Sequence, residues 1–272
     1  MKTTILIAGE GGQGIQTIAK ILSDTAAQTK TEVCYIPSFG VEQRGTPSMA
    51  FITLSDKKIL YPKFETANYV VVLQKRAVPH ILSYINSDTK VIFDSSTISA
   101  SDLKSAGRLS GIPATKIAYE ESFPKSFNVI VVGKLSQILG YDENIVWNVI
   151  EKVLGKKFKT AEIKESNKKA FAIGRSFTFE HKHFTDPIYQ PATGKIVSKG
   201  HDKTCQISPE LCKGCGICIA KCPVGALRFS ETLGVFATPV PEIDLEKCIA
   251  CGNCLRFCPD SAIGVTKDVK KV

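Results

Sequence analysis

Short apolar runs alternate with stretches of helical spacing along most of the chain. Thr3–Ala8 is a mostly apolar strand. Ile15, Ile18, Ala19, Leu22 and Ala26 then recur at the 3.6-residue period of a helix over Ile15–Gln28. Further strands are expected at Glu32–Pro37, Ser48–Leu54, Tyr69–Leu73, Lys90–Phe93 and Thr115–Ala118. Helices are expected at Val78–Ile85, Val129–Leu139, Glu143–Leu154 and Ala161–Arg175. Gly140 ends one helix and Asp142 caps the next. Strands alternating with helices predict an α/β domain over residues 1–179, its largely parallel sheet flanked by helices. The pattern lapses over residues 180–204, where Pro, Gly, Thr and Lys mark a linker. Residues 205–272 read as a small α+β domain. Its Ala226–Pro241 stretch is a hairpin turning near Gly234.

That last segment carries the strongest chemical signal. Cys212, Cys215, Cys218 and Cys222 precede Pro223, and Cys248, Cys251, Cys254 and Cys258 precede Pro259. Both runs read C-x2-C-x2-C-x3-C-P, the spacing that holds iron–sulfur clusters in bacterial ferredoxins. The copies are offset by 36 residues at every cysteine, which makes them an internal repeat. Three cysteines at intervals of three place their thiolates on a tight loop around three corners of a cubane, and the fourth is carried to the other cluster. The expected sets are Cys212, Cys215, Cys218 with Cys258, and Cys248, Cys251, Cys254 with Cys222, for two [4Fe–4S] clusters. Zinc needs four ligands and leaves the doubled run without a role. A disulfide framework does not suit a chain of this length without a secretory signal. A domain this small has little core of its own, so the clusters should be its structural centre.

Composition narrows the setting. The chain has 272 residues, 43% hydrophobic, which allows about two domains with real cores. No stretch approaches the roughly 18 apolar residues of a membrane span, so a cytoplasmic protein is expected, in oxygen-poor metabolism given the clusters. The net charge of +9 lies mainly in residues 1–204, at +8, against +1 in the tail. Two thiolate-bound clusters would bring the tail to about −3. Seven lysines fall within 152–169 and read as a solvated face or a docking surface for an acidic subunit. No nucleic-acid-binding motif accompanies them. Cys34, on a strand, reads as a buried small apolar side chain, Cys205, outside both runs, as incidental, and Trp147 as packing. His181, His183 and His201 lack metal-like partners. No catalytic triad, carboxylate pair or Walker lysine is present.

Gly9-Glu10-Gly11-Gly12-Gln13-Gly14 follows a strand and opens a helix, satisfying G-x-G-x-x-G. Three uses fit: a turn that lets another chain pack closely, a cradle for an anion or phosphate, or a nicotinamide or flavin dinucleotide site. The acidic residue that a ribose requires is misplaced, because Glu32 begins the second strand, ahead of Val33-Cys34-Tyr35, instead of ending it.

GGQG opening a helix, then Phe39-Gly40-Val41-Glu42-Gln43-Arg44-Gly45, resembles the gamma subunit of the 2-oxoacid:ferredoxin oxidoreductases. The resemblance continues through Ser55-Asp56 with Ile59 and Asn128-Val129 to Gly133. The tail resembles the two-cluster delta subunit, so the chain looks like a gamma–delta fusion. The resemblance implies an enzyme subunit that carries electrons and covers the active site, with alpha and beta partner subunits holding thiamine diphosphate and magnesium. This chain has no thiamine motif of its own. It also implies coenzyme A as co-substrate, an external ferredoxin as acceptor, and a dimer of the multi-subunit unit. Gly11, Gly12, Gln13, Glu42, Arg44 and Gly45 are the residues it assigns to accommodating coenzyme A. Arg44 suits a phosphate or carboxylate by its forked donors, or an ion pair with Glu42. Thr46-Pro47, where many members have a second glycine, resembles the pyruvate and branched-chain types more than the 2-oxoglutarate type, so pyruvate is the leading substrate, with an oxalate or 2-oxoglutarate type and a ferredoxin fused to a nucleotide-binding domain as alternatives.

Overall fold

The computed structural model describes residues 2–29, 31–39, 47–103, 107–121, 126–179, 192, 194–200, 202–235 and 238–267. The chain divides into two compact units, Met1–Ile188 and Tyr189–Val272.

The first unit is built on a six-stranded sheet in the order β2-β3-β1-β4-β5-β6. Its strands are β1 (Lys2–Glu10), β2 (Glu32–Phe39), β3 (Pro47–Ser55), β4 (Tyr69–Val72), β5 (Lys90–Asp94) and β6 (Arg108–Ile112). β1, β4, β5 and β6 run parallel, while β3 pairs antiparallel with both β1 and β2. The sheet is therefore mixed, with its parallel part on one side of β1. The helices are α1 (Ile15–Gln28), α2 (Val78–Ile81), α3 (Ala100–Leu103), α4 (Ala114–Glu121), α5 (Phe127–Ile138), α6 (Glu143–Leu154) and α7 (Ala161–Ser176).

Side-chain alternation explains why β1 reads as an unbroken apolar run. Ile5 and Ile7 enter the core shared with α1, α5, α6 and α7, while Leu6 and Ala8 enter the core on the opposite face with Val78 and Ile81 of α2. Asp142 caps α6 by accepting hydrogen bonds from the Asn144 and Ile145 amides. Gly140 takes the left-handed conformation (φ 71°) just before it. Trp147 stacks on Phe158 at 6.3 Å between ring centroids.

Two expectations for this unit are corrected. Thr115–Ala118 is not a strand but part of α4, whose first turn is fixed by the buried Asp94 carboxylate. Asp94 accepts hydrogen bonds from the Thr115 amide and hydroxyl. Its carboxyl sits above the usual carboxylate range because burial disfavours its charge. The strand in this region is instead β6, whose RLSGI sequence lacks an apolar run; its ladder with β5 creates it. The helix expected over Val78–Ile85 is broken into α2 and flanking 3₁₀ turns at Lys75–Ala77 and Leu82–Tyr84.

The second unit contains β7 (Ile196–Lys199), β8 (Lys203–Ile207), α8 (Ile217–Ala220), β9 (Leu227–Leu233), β10 (Pro239–Ile243), α9 (Asn253–Arg256) and β11 (Ile263–Lys267). β9 and β10 form the expected hairpin, closed where the Gly234 amide donates to the Thr238 carbonyl at 2.8 Å. β8 lies between β7 and β11. β7 and the start of β8 fall inside the segment expected to be a linker. They pair by backbone hydrogen bonds that polar residues make as well as apolar ones. Among the described residues no helix is long and apolar enough to cross a membrane.

Candidate cluster sites and glycine loop

Each cysteine run folds in the same way. Its first three cysteines lie on a tight loop that leads into a one-turn helix, with Cys218 buried in α8 and Cys254 buried in α9. The loops need left-handed backbone at matching places, Gly214 (φ 62°) in one and Ala250 (φ 51°) in the other. The fourth cysteine follows the short helix and turns into a strand. There the Ala226 amide donates to Cys222 Sγ and the Ala262 amide to Cys258 Sγ, both at 3.2 Å. The Ala250 amide donates to Cys248 Sγ at 3.3 Å. Amide donors aimed at sulfur favour the thiolate form that a cluster requires.

The eight thiols gather around two cavities, and each gathering crosses the runs. Cys248, Cys251 and Cys254 share an open space of about 330 Å³ with Cys222. Cys212, Cys215 and Cys218 share one of about 350 Å³ with Cys258. Among the described residues no three His, Cys, Asp or Glu side chains close on a point that would hold a single metal ion. Four thiols around one space supply the four protein ligands that a [4Fe–4S] cluster takes, one for each iron. Burial pushes the Cys212 thiol up to about 11 and the Cys218 thiol up to about 12, and it also raises Cys254. Loading must therefore displace protons. Cys205 is buried between the runs, its thiol pushed up to about 12 chiefly by burial. Cys34 is half-buried on β2.

The glycine loop leaves the carboxyl end of β1, the strand flanked by antiparallel β3 and parallel β4. Crevices at such switch points are where open α/β sheets bind ligands. Gln13 is 5% exposed, and both ends of its amide are engaged. Its Oε1 accepts from the Glu10 amide at 2.8 Å, and its Nε2 donates to the Leu73 carbonyl at 3.1 Å. Gln13 thus ties the loop to the end of β4. Gly12 is exposed with φ 104°, and Gly11 is half-buried beside it. Glu42, Arg44 and Gly45 lie outside the described residues. The strand ends that bracket them reach the same end of the sheet, since Pro47 pairs with Glu10 and Ser48 with Phe39. Neither Glu10 nor Arg76 stands out as a functional residue in the sequence. The Glu10 carboxylate is fully buried in the loop, with Arg76 Nη1 3.6 Å away. A charged residue between glycines was the available signal for the first; the second arrives from the chain beyond β4 and had none.

Residues 4–177 match the pyruvate ferredoxin/flavodoxin oxidoreductase family. The chain belongs to this family. Residues 211–262 match a 4Fe-4S dicluster domain, so a two-cluster module follows the oxidoreductase domain in one polypeptide. The chain is similar to the 2-oxoglutarate synthase subunit KorC of Archaeoglobus fulgidus, 33% identical over 174 residues, covering 64% of this chain and 86% of that one. It is 27% identical over 141 residues to the ketoisovalerate oxidoreductase subunit VorA of Methanothermobacter thermautotrophicus. That match covers 51% of this chain but only 29% of VorA. Among solved structures, the pyruvate oxidoreductase subunit PORC of Thermotoga maritima shares the fold with a TM-score of 0.52 at 24% identity, over 64% of this chain and 95% of that one.

Proposed function

We propose that this chain is the electron-transfer and site-covering subunit of a 2-oxoacid:ferredoxin oxidoreductase. The observation that carries the reading is the pairing, in one polypeptide, of the family's α/β unit with two four-cysteine cavities. The complex converts a 2-oxoacid and coenzyme A into acyl-coenzyme A, carbon dioxide, one proton and two electrons. Cys212, Cys215, Cys218 and Cys258 hold one [4Fe–4S] cluster, and Cys248, Cys251, Cys254 and Cys222 hold the other. When bound, the clusters accept and release electrons one at a time. The chain's own part is to fix the sulfurs, to offer amide hydrogens to Cys222, Cys248 and Cys258, and to bury Cys218 and Cys254 away from water.

Thiamine diphosphate and magnesium belong to alpha and beta partner subunits, coenzyme A is the co-substrate, and an external ferredoxin takes the electrons. Gly11 and Gly12 present loop backbone toward coenzyme A while Gln13 holds that backbone in place; Glu42, Arg44 and Gly45 complete this region. The relatives' names cover 2-oxoglutarate, ketoisovalerate and pyruvate, so Thr46-Pro47 is a weak guide to the acid. The test is to purify the tagged chain anaerobically with its partners and follow viologen reduction with a panel of 2-oxoacids, with and without coenzyme A. Oxidation of one acid that depends on coenzyme A supports the reading and names the substrate. Coenzyme A-independent oxidation points to an oxalate type. No copurifying thiamine protein and no oxidised acid would overturn the proposal.

A further inference from the structure

The two cysteine loops share a backbone but not their surroundings. Beside the first, Lys213 Nζ meets Asp260 Oδ1 at 2.7 Å, with the two side chains only 5% and 10% exposed. Both residues line the cavity ringed by Cys212, Cys215, Cys218 and Cys258. Lys213 follows the first cysteine of this set, and Asp260 lies two residues past its fourth. The 36-residue offset maps them onto Ile249 and Val224, which line the other cavity and are 54% and 39% exposed. One site thus carries a buried ion pair where its repeat carries two exposed aliphatic side chains.

The fold supplies the reason. The end of the β9–β10 hairpin lies over the first loop, where the Val235 amide donates to the Cys212 carbonyl at 3.0 Å. A Cβ at Gly214 would come within 2.5 Å of Thr238 Oγ1. The second loop has Ala250 at the matching left-handed position and therefore leaves room there for a side chain. Lys213 and Asp260 are covered, so water screens their charges weakly and each acts strongly on a neighbouring electron acceptor. A lysine cation favours the negative charge that reduction adds, and an aspartate opposes it.

We propose that the Lys213–Asp260 pair is a positioning pair that sets the reduction potential of the cluster at Cys212, Cys215, Cys218 and Cys258 apart from that of its repeat partner. The inference rests on the cluster reading above. It is tested in the anaerobically purified complex by EPR-monitored redox titration, with iron and sulfide analysis of every preparation. Lys213→Met leaves the aspartate and lowers one midpoint; Asp260→Asn leaves the lysine and raises the same one. The two shifts are unequal, the larger being roughly tenfold in the reduction equilibrium, or about 59 mV for a one-electron couple, because only an imbalance between the two charges displaces this cluster from its repeat partner. Equal and opposite shifts would overturn the proposal, and the other midpoint stays in place. Full iron content with both midpoints unmoved, or both variants shifting in one direction, would overturn the pair's role while leaving the cluster reading intact. If an unpaired buried charge costs a single variant its iron, the swapped pair Lys213→Asp with Asp260→Lys decides. A displaced midpoint supports the proposal and an unmoved one ends it. A wild-type chain without iron would sink the cluster reading and this inference with it.

Discussion

Replacing Gln13 by alanine separates two roles that the glycine loop combines. In the wild-type chain its amide satisfies two backbone groups at a site where Glu10 and Leu73 are both fully buried. Alanine leaves the Glu10 amide and the Leu73 carbonyl without that partner. Each buried polar group so orphaned costs about 1–3 kcal/mol, which places the loss near 3 kcal/mol after some water entry. Gln13→Met, of similar length but unable to form either bond, should lose about as much, because the bonds and not the volume are at stake. The assay is urea unfolding of the full chain under anaerobic conditions, followed by fluorescence. Trp147 is the chain's sole tryptophan and sits against the same core as Ile15, so the signal reports on the first unit. If both variants unfold within about 0.5 kcal/mol of wild type while the coenzyme A requirement weakens, Gln13 is a ligand-contacting group and not the loop's tie, and the reasoning fails.

Three further outcomes are expected. Combining Cys222→Ser with Cys251→Ser removes two ligands from one cavity and should leave about half the iron, whereas Cys222→Ser with Cys215→Ser removes one from each and should leave far less; iron analysis giving the reverse order would refute the crossed sets. Gly174→Ala places a Cβ 2.0 Å from the Ile130 carbonyl oxygen, backbone that cannot step aside without parting α7 from α5. A loss of about 3 kcal/mol is expected, and an unchanged thermal midpoint by Trp147 fluorescence would count against the close crossing. Burial lifts the Tyr141 hydroxyl from 10.0 to about 12. The folded chain therefore keeps a proton that the unfolded chain releases between those values, and this stabilisation is full below pH 10 and lost as pH rises toward 12. Tyr141→Phe should flatten that decline in urea midpoints; parallel curves for the two proteins would contradict it.

The cysteine runs were legible because ligand geometry fixes their spacing locally: three thiols on one loop and a fourth before proline leave few alternatives. α1 and α6 were legible to the residue because their apolar faces lie within the segments and their start signals, Gly14 before α1 and the Asp142 cap before α6, are the adjoining residues. β6 and α4 were not. Arg108–Ile112 becomes a strand by pairing with β5, and Thr115 starts a helix because Asp94, 21 residues earlier, reaches its amide. β7 likewise depends on a partner strand, which hid it inside an apparent linker. The glycine loop was visible as a motif, but its tie to Leu73, 60 residues away, was not. The repeat made the two cysteine loops look equivalent. Only the folded chain buries Lys213 against Asp260, 47 residues apart, while Ile249 and Val224 stay exposed. The sequence by itself determined the chemistry each segment can hold, since that follows from local residue type and spacing. The tertiary structure decided which groups meet and which are shielded from water, because burial and long-range pairing exist only once the chain has closed on itself.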